Sequence, residues 1–233
     1  MFKTRFNFSS LHLERAEDRR RFTYRTFIQF IIFQLLALMQ WLILVLVQPG
    51  SKTEELVQRH EPTLILLFFV SMLLLLIFAL SNEIRLLSCI SLFITVFVIE
   101  SLVLAMGLLA AKTNCVRLLI SFVCVSILMI LATILALFWS YDITKHASVL
   151  FLWEFCVFML SIYVVAFYII LKLSWVYFVY TAVIVIMVLP ILVYHVQTIV
   201  GNGEVRASLQ DDKFAALLLF HDFLGLFMLT FYW

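Results

Sequence analysis

Residues 19–47 read RRRFTYRTFIQFIIFQLLALMQWLILVLV, and the switch inside that stretch decides the fold. Arg19, Arg20, Arg21 and Arg25 are followed, from Thr26 to Val47, by a run with no charged residue. A bilayer's hydrocarbon core is about 30 Å thick and takes about 20 apolar residues in helical form. The run is therefore long enough to span.

Six further runs follow at 63–80, 86–111, 116–138, 147–170, 174–196 and 214–233. Their partitions are short and polar, such as Ser81 to Arg85. The longest runs from Gln197 to Lys213 and holds Gly201, Gly203, Glu204, Arg206, Asp211 and Asp212. Short connections make neighbouring helices antiparallel. Uninterrupted apolar runs also lack the alternation of a membrane barrel. The expected fold is an all-α membrane protein, a bundle of seven transmembrane helices. A basic tail, 1–25, precedes a membrane domain, 26–233. The pattern leaves open whether the last run crosses or re-enters.

Composition agrees. Of 233 residues, 65% are hydrophobic and 13% charged, with a mean hydropathy of +1.14. Soluble domains have roughly 45–50% apolar and about 25% charged residues. So few polar residues cannot coat such a core, and lipid must do it. Cys89, Cys115, Cys124 and Cys156 have neither metal-ligand spacing nor a disulfide pattern and are expected to be small buried hydrophobes. Neither a tight metal site nor a cofactor is expected.

The tail, with Lys3, Arg5, Arg15, Arg19, Arg20, Arg21 and Arg25, holds seven of the sixteen basic residues. The positive-inside rule places it in the cytoplasm. Its charge excludes a cleavable signal peptide, so the first run is expected to act as an uncleaved signal anchor. No nucleic-acid partner is expected. Trp139, Tyr141 and Trp175 stand near span ends, as interfacial aromatics do. Pro190 should loosen the sixth run five residues before His195.

Ionisable groups inside spans are costly and are functional candidates by default. They are Glu100, Glu154, His195, His221 and Asp222. Asp222 is the most informative: it stands mid-run, too far from either end for its short side chain to reach water. It needs a partner, a proton or a water-filled cavity. Glu154 is only about two turns into its run and reads as interfacial. His221 points about 100° away from Asp222 around the helix.

Several segments resemble one family. Asp211-Asp212-Lys213-Phe214-Ala215-Ala216-Leu217 and Leu219-Phe220-His221-Asp222 are similar to the signature of the transmembrane Bax-inhibitor-motif (Lifeguard) family. Tyr194-His195-Val196-Gln197 resembles its Tyr-Asp-Thr-Gln at the end of helix six. Tyr141-Asp142-Ile143-Thr144 resembles its Tyr-Asp-Phe-Thr loop. Arg20-Arg21-Phe22 with Gln34-Leu35-Leu36 resembles the entry to its first helix. Glu100 falls where the Golgi anti-apoptotic branch has a glutamate.

The resemblance implies a seven-helix protein of the endoplasmic reticulum or Golgi that leaks Ca²⁺, responds to pH and restrains cell death. It is not an enzyme on this reading, and its partners are membrane lipids, permeant Ca²⁺ and cell-death regulators or other channels. The family closes its pore with two aspartates that share a proton, one on helix six and one on helix seven. Asp222 matches one; His195 replaces the other. Two close carboxylates cannot both ionise cheaply, so proton loss drives them apart. A protonated histidine is attracted to Asp222 instead, and its deprotonation weakens the latch without creating repulsion. Less negative charge also suits Ca²⁺ less, a hard cation that takes oxygen ligands. Glu100, Glu154, Asp211 and Asp212 are candidates for an ion pathway, and Arg85 for a latch arginine. For Asp211 and Asp212 the plainer reading is charge stabilisation of a helix start.

Three alternatives stand beside the channel. One is a non-conducting interaction module that restrains cell death. A second is a seven-helix zinc-dependent lipid hydrolase, disfavoured because a third histidine inside a span is missing. A third is a receptor, disfavoured because the seventh run has neither proline nor lysine.

Overall fold

A computed structural model describes residues 16–47, 51–111, 113–153, 155–157, 159–160 and 174–230. The helices are α1 (Ala16–Val47), α2 (Ser51–Leu80), the short α3 (Asn82–Leu86), α4 (Ser88–Ala110), α5 (Cys115–Phe138), α6 (Ser174–Val200) and α7 (Asp212–Leu229). A 3₁₀ turn, Ile143–His146, follows α5, and 147–153, 155–157 and 159–160 are helical. There is no strand among the described residues. The chain is a multi-pass, all-helical membrane protein. Five helices among the described residues are long and apolar enough to cross a bilayer: those holding Ala16–Leu46, Pro62–Leu80, Ser88–Gly107, Cys115–Phe138 and Phe178–Val200. Of the expected seven runs, the fifth lies partly outside the described residues. The last, α7, departs from the pattern because it carries Asp212, Lys213 and Asp222.

α7 tolerates those charges because it is the centre of the bundle. It packs against α1, α4, α5 and α6, and eleven of its eighteen residues are buried. A helix that is apolar on all sides belongs inside a protein. Phe223 and Phe227 stack at 5.5 Å, and Trp41 of α1 stacks on Phe227 at 4.8 Å with its rings 9° from parallel. The Trp41 indole N–H donates to the Val103 carbonyl at 2.9 Å, tying α1 to α4. Lipid is as apolar as leucine, so close packing and hydrogen bonds hold helices together in a bilayer. Ala37, Ala110 and Ala216, all fully buried, let backbones approach. The outer helices show Ile31, Leu35, Phe69, Phe93, Ile120 and Ile130 on the outside, where acyl chains cover them.

α1 starts at Ala16, ten residues before the apolar run, so Arg19 to Arg25 of the basic tail are helical. One expectation is corrected. Cys89, Cys124 and Cys156 are exposed on the outer surface instead of filling the core, and Cys115 is half-buried. α6 runs on through Pro190, which has no N–H to offer the Ile186 carbonyl, so one helical hydrogen bond is missing there.

The loops sort by face. Arg19, at the start of α1, reaches the loop after α6: its Nη1 donates to the Ala207 carbonyl at 2.8 Å. Arg85, in α3, pairs with Asp211 before α7 at 3.7 Å. The Glu204 N–H donates to Asp142 at 2.9 Å, which joins the loop after α5 to the same place. At the other end, Thr230 shares a groove with Asn114 and Arg117. The start of α1 and the α2–α4, post-α5 and α6–α7 connections thus gather on one face, as alternate crossing requires. α7 is one unbroken helix from that face, and at 1.5 Å per residue its eighteen residues extend about 27 Å.

Candidate functional site

The last turns of α6 and the start of α7 are held before any candidate side chain is considered. The final carbonyls of a helix have no partner within it. Here Gly201, with φ of 79°, takes the left-handed turn, and its N–H bonds the Gln197 carbonyl at 2.9 Å. The Thr23 hydroxyl donates to the Ile199 carbonyl at 3.2 Å, and the Ala207 N–H to the Thr198 carbonyl at 2.9 Å. The Arg19 guanidinium beside this C-terminus also suits the negative end of the helix dipole. A Cβ on Gly201 would stand 3.1 Å from Arg19 Nε.

Beneath this cap, His195 of α6 and Asp222 of α7 meet, with Nδ1 and Oδ2 2.7 Å apart. Asp222 lies ten residues, about 15 Å, along α7. It is 4% exposed; the His195 side chain is 15% exposed. Phe220 and Phe223 on either side of Asp222 have no exposed surface, and the Tyr194 ring lies edge-on to His195 at 5.9 Å. A carboxyl group in such surroundings is tolerable only with a partner.

The contact survives more than one protonation state. With Asp222 ionised, Nδ1 carries a proton and donates it whether the ring is neutral or cationic. With Asp222 protonated and the ring neutral, the carboxyl O–H donates to Nδ1. Ionised Asp222 with protonated His195, and protonated Asp222 with neutral His195, are both pairs of no net charge; ionised Asp222 with neutral His195 leaves one net negative charge.

The second polar cluster docks the loop after α5 onto α6. Gln197 spans it, its Nε2 donating to the Tyr141 carbonyl at 3.0 Å and its Oε1 accepting from the Ile143 N–H at 3.0 Å. Asp142 accepts from the Thr144 hydroxyl at 2.6 Å and the Thr144 N–H at 3.0 Å, besides the Glu204 N–H. Burial works upward on the Asp142 carboxyl, but these hydrogen bonds and the Lys145 charge together hold it below the usual carboxylate range. Gly203 is required there, since a Cβ would lie 2.7 Å from Asp142 Oδ1 and collide with the Thr144 hydroxyl.

The remaining candidates are dispersed. Glu100 belongs to the α1–α4 contact, where Gln40 Nε2 donates to its Oε1 and Oε2 at 3.0 and 2.9 Å. Asp212 accepts from Gln29 Nε2 at 3.0 Å. Asp211 precedes α7 and faces Arg85; burial raises its carboxyl above the ordinary range, with Arg85 opposing and Asp212 adding to the rise. Arg85 does not reach the His195–Asp222 pair as expected. It is engaged by Asp211, by Asn82 Oδ1 and by the Phe214 ring, 4.7 Å from its guanidinium, because α3 sits over the start of α7. His221 is half-buried on the neighbouring face of α7. Glu154 lies outside the described residues. Among the described residues no three His, Cys, Asp or Glu side chains converge as a metal site.

The sequence reading missed Gln40, Gln197 and Arg19. All three are uncharged or lie outside the apolar runs, so a search for ionisable groups within spans passes over them. Gln29 and Gln40 did carry a signal: eleven residues is three helical turns, which puts both amides on one side of an apolar helix.

Comparison with protein-family models, with curated proteins and with solved structures finds no match to this chain.

Proposed function

We propose that this multi-pass membrane protein is a Bax-inhibitor-motif-like protein of the endoplasmic reticulum or Golgi membrane. It acts as a Ca²⁺ leak channel or channel-like regulator of Ca²⁺ homeostasis and apoptosis, with altered pH gating. In this reading the chain crosses seven times, with its N-terminus in the cytoplasm. The observation that carries it is the 2.7 Å contact between His195 on α6 and Asp222 on α7. The resemblance places a proton-sharing pair of aspartates at those two positions.

The pair is the closure between α6 and α7. Phe220, Phe223 and Phe227 fill the centre of the bundle along α7, so a path for ions requires α7 to move against its neighbours. Two aspartates without a proton repel, by about 4 kcal/mol at 4 Å and an effective dielectric constant of 20. His195 and Asp222 never repel while the carboxyl is ionised. Raising the pH removes the attraction of the ion pair and leaves a hydrogen bond, so opening with rising pH is shallower than in an aspartate pair. Asp211 and Asp212 at the start of α7 and Glu100 on α4 supply further acidic groups but are engaged with Arg85, Gln29 and Gln40.

The test is Ca²⁺ flux from liposomes holding purified wild type or His195→Asp, over pH 5 to 8. The variant should show the steeper rise with pH. Identical flux-versus-pH curves would defeat the proposed role of the pair. Folded protein with no flux at any pH would favour a non-conducting interaction module.

A further inference from the structure

Where α1 enters the membrane, its outer end faces the end of α6 across a groove of about 890 Å³. Arg19, Arg20, Arg21 and Arg206 line it, with Tyr24 and Phe27. Among the described residues no acidic side chain lines it; Glu17 and Asp18, on the first turn of α1, lie outside its lining. We infer that this groove binds the headgroup of an anionic phospholipid. The inference does not depend on the channel reading.

Four guanidinium groups from two separate elements are brought to one concavity. Arg19 is partly committed to the carbonyls of Ile199 and Ala207 and forms part of the wall. Arg20, Arg21 and Arg206 are exposed. Guanidinium forks match the oxygens of a phosphate in pairs.

The lipid source follows from how the groove changes along α1. Arg20 and Arg21 lie at its polar end, Tyr24 one turn further in and Phe27 nearly two. Tyr24 is 69% exposed, and beyond it Ile28 and Ile31 continue on the open surface of the helix. Seven residues of helix, from Arg20 to Phe27, cover about 10 Å, comparable to the step from headgroup to acyl chain. Tyrosine at that step is the usual interfacial residue. A free phosphate would use the arginines and leave the apolar wall uncovered, whereas a phospholipid uses both. Clustered basic residues at the mouth of a span are also the ordinary recognition element for anionic lipid.

The experiment uses the full chain in neutral detergent, with binding read by native mass spectrometry. Dioctanoyl phosphatidylinositol phosphate, dioctanoyl phosphatidylcholine and free inositol phosphate are the three probes. Wild type should bind the anionic lipid at least about tenfold more tightly than either other probe. The triple variant Arg20→Gln, Arg21→Gln, Arg206→Gln should weaken that binding on the order of 100-fold, about fivefold per arginine. The Arg59→Gln, Lys145→Gln control should bind as wild type does. Thermal unfolding of each variant checks the fold. Should the triple variant not fold, Arg206→Gln alone should still show the fivefold loss. Equal binding of phosphatidylcholine, or no loss in the arginine variants, overturns the site. Free inositol phosphate binding as tightly as the lipid overturns the lipid assignment.

Discussion

Removing one partner of the His195–Asp222 contact should hurt more than removing both, and the two single losses should be unequal. Phe in place of His195 strands a carboxyl that is 4% exposed. Breaking a buried pair on the side that leaves a charge behind costs about 3–5 kcal/mol. Leu in place of Asp222 strands an imidazole, whose neutral form is less costly to bury; an unpaired buried polar group costs about 1–3 kcal/mol. The double variant replaces both by apolar groups, which is often near neutral. Interhelical hydrogen bonds in membranes average only about 0.6 kcal/mol in such cycles and reach about 1.7. The 2.7 Å separation and the potential charge of both partners place this one at or above that range. Taken at full size, the two single losses and a near-neutral double variant would combine to about 4–8 kcal/mol; membrane cycles run well below such sums, and the expected coupling is about 1.5–3 kcal/mol. Reversible unfolding of wild type, His195→Phe, Asp222→Leu and the double variant in mixed micelles at pH 7 measures it. Coupling below about 0.5 kcal/mol, or His195→Phe less damaging than Asp222→Leu, would refute the reasoning.

Three other outcomes are expected. Gly203→Ala should lower stability by about 1–3 kcal/mol, read by thermal unfolding, because its methyl group displaces the Asp142 carboxylate from 2.7 Å and unseats the Glu204 N–H bond; an unchanged midpoint contradicts it. Asp142, whose carboxyl is held low in the folded protein, contributes stability above its ordinary range and loses it as pH falls through the folded value. Exchange of the Glu204 amide should accordingly accelerate in acid, below about pH 4, and lose that dependence in Asp142→Asn. Asp211 is shifted upward by burial, so its contribution diminishes as pH rises. Arg85→Gln removes the opposing charge and should therefore cost more stability at pH 7 than below about pH 4, where Asp211 is protonated, with equal losses at both values arguing against the Arg85–Asp211 pair.

Hydrophobic runs are readable because a bilayer demands about 20 apolar residues whatever the neighbours do. The helices α1, α2, α5 and α6 contain the runs that start at 26, 63, 116 and 174, and α4 covers all but the ends of the run 86–111. Helix starts are less readable. Arg19 to Arg25 look like a tail by charge, yet α1 begins at Ala16 because Arg19 and Thr23 cap α6 and so have a reason to be helical. The central position of α7 was not readable from its apolar run, which differs little in composition from the others. The clue was the one acid it carries mid-run. A mid-run position says that Asp222 needs a partner but not which one, and only the resemblance points to His195. The docking of Tyr141–Thr144 against Gln197 and Gly203 joins positions about 55–60 residues apart. No local pattern reports such a pairing, because its hydrogen bonds exist only once α5 and α6 stand side by side.

His195 and Asp222 join α6 to α7 at the centre of the bundle. Solid-state NMR of the protein in lipid bilayers, with ¹⁵N-histidine and ¹³C-aspartate, measures that contact directly. The account predicts a strong short-range coupling between His195 Nδ1 and Asp222 Cγ, as the 2.7 Å nitrogen–oxygen separation requires. Its absence at every pH from 5 to 8, in protein whose helices are intact, would contradict it.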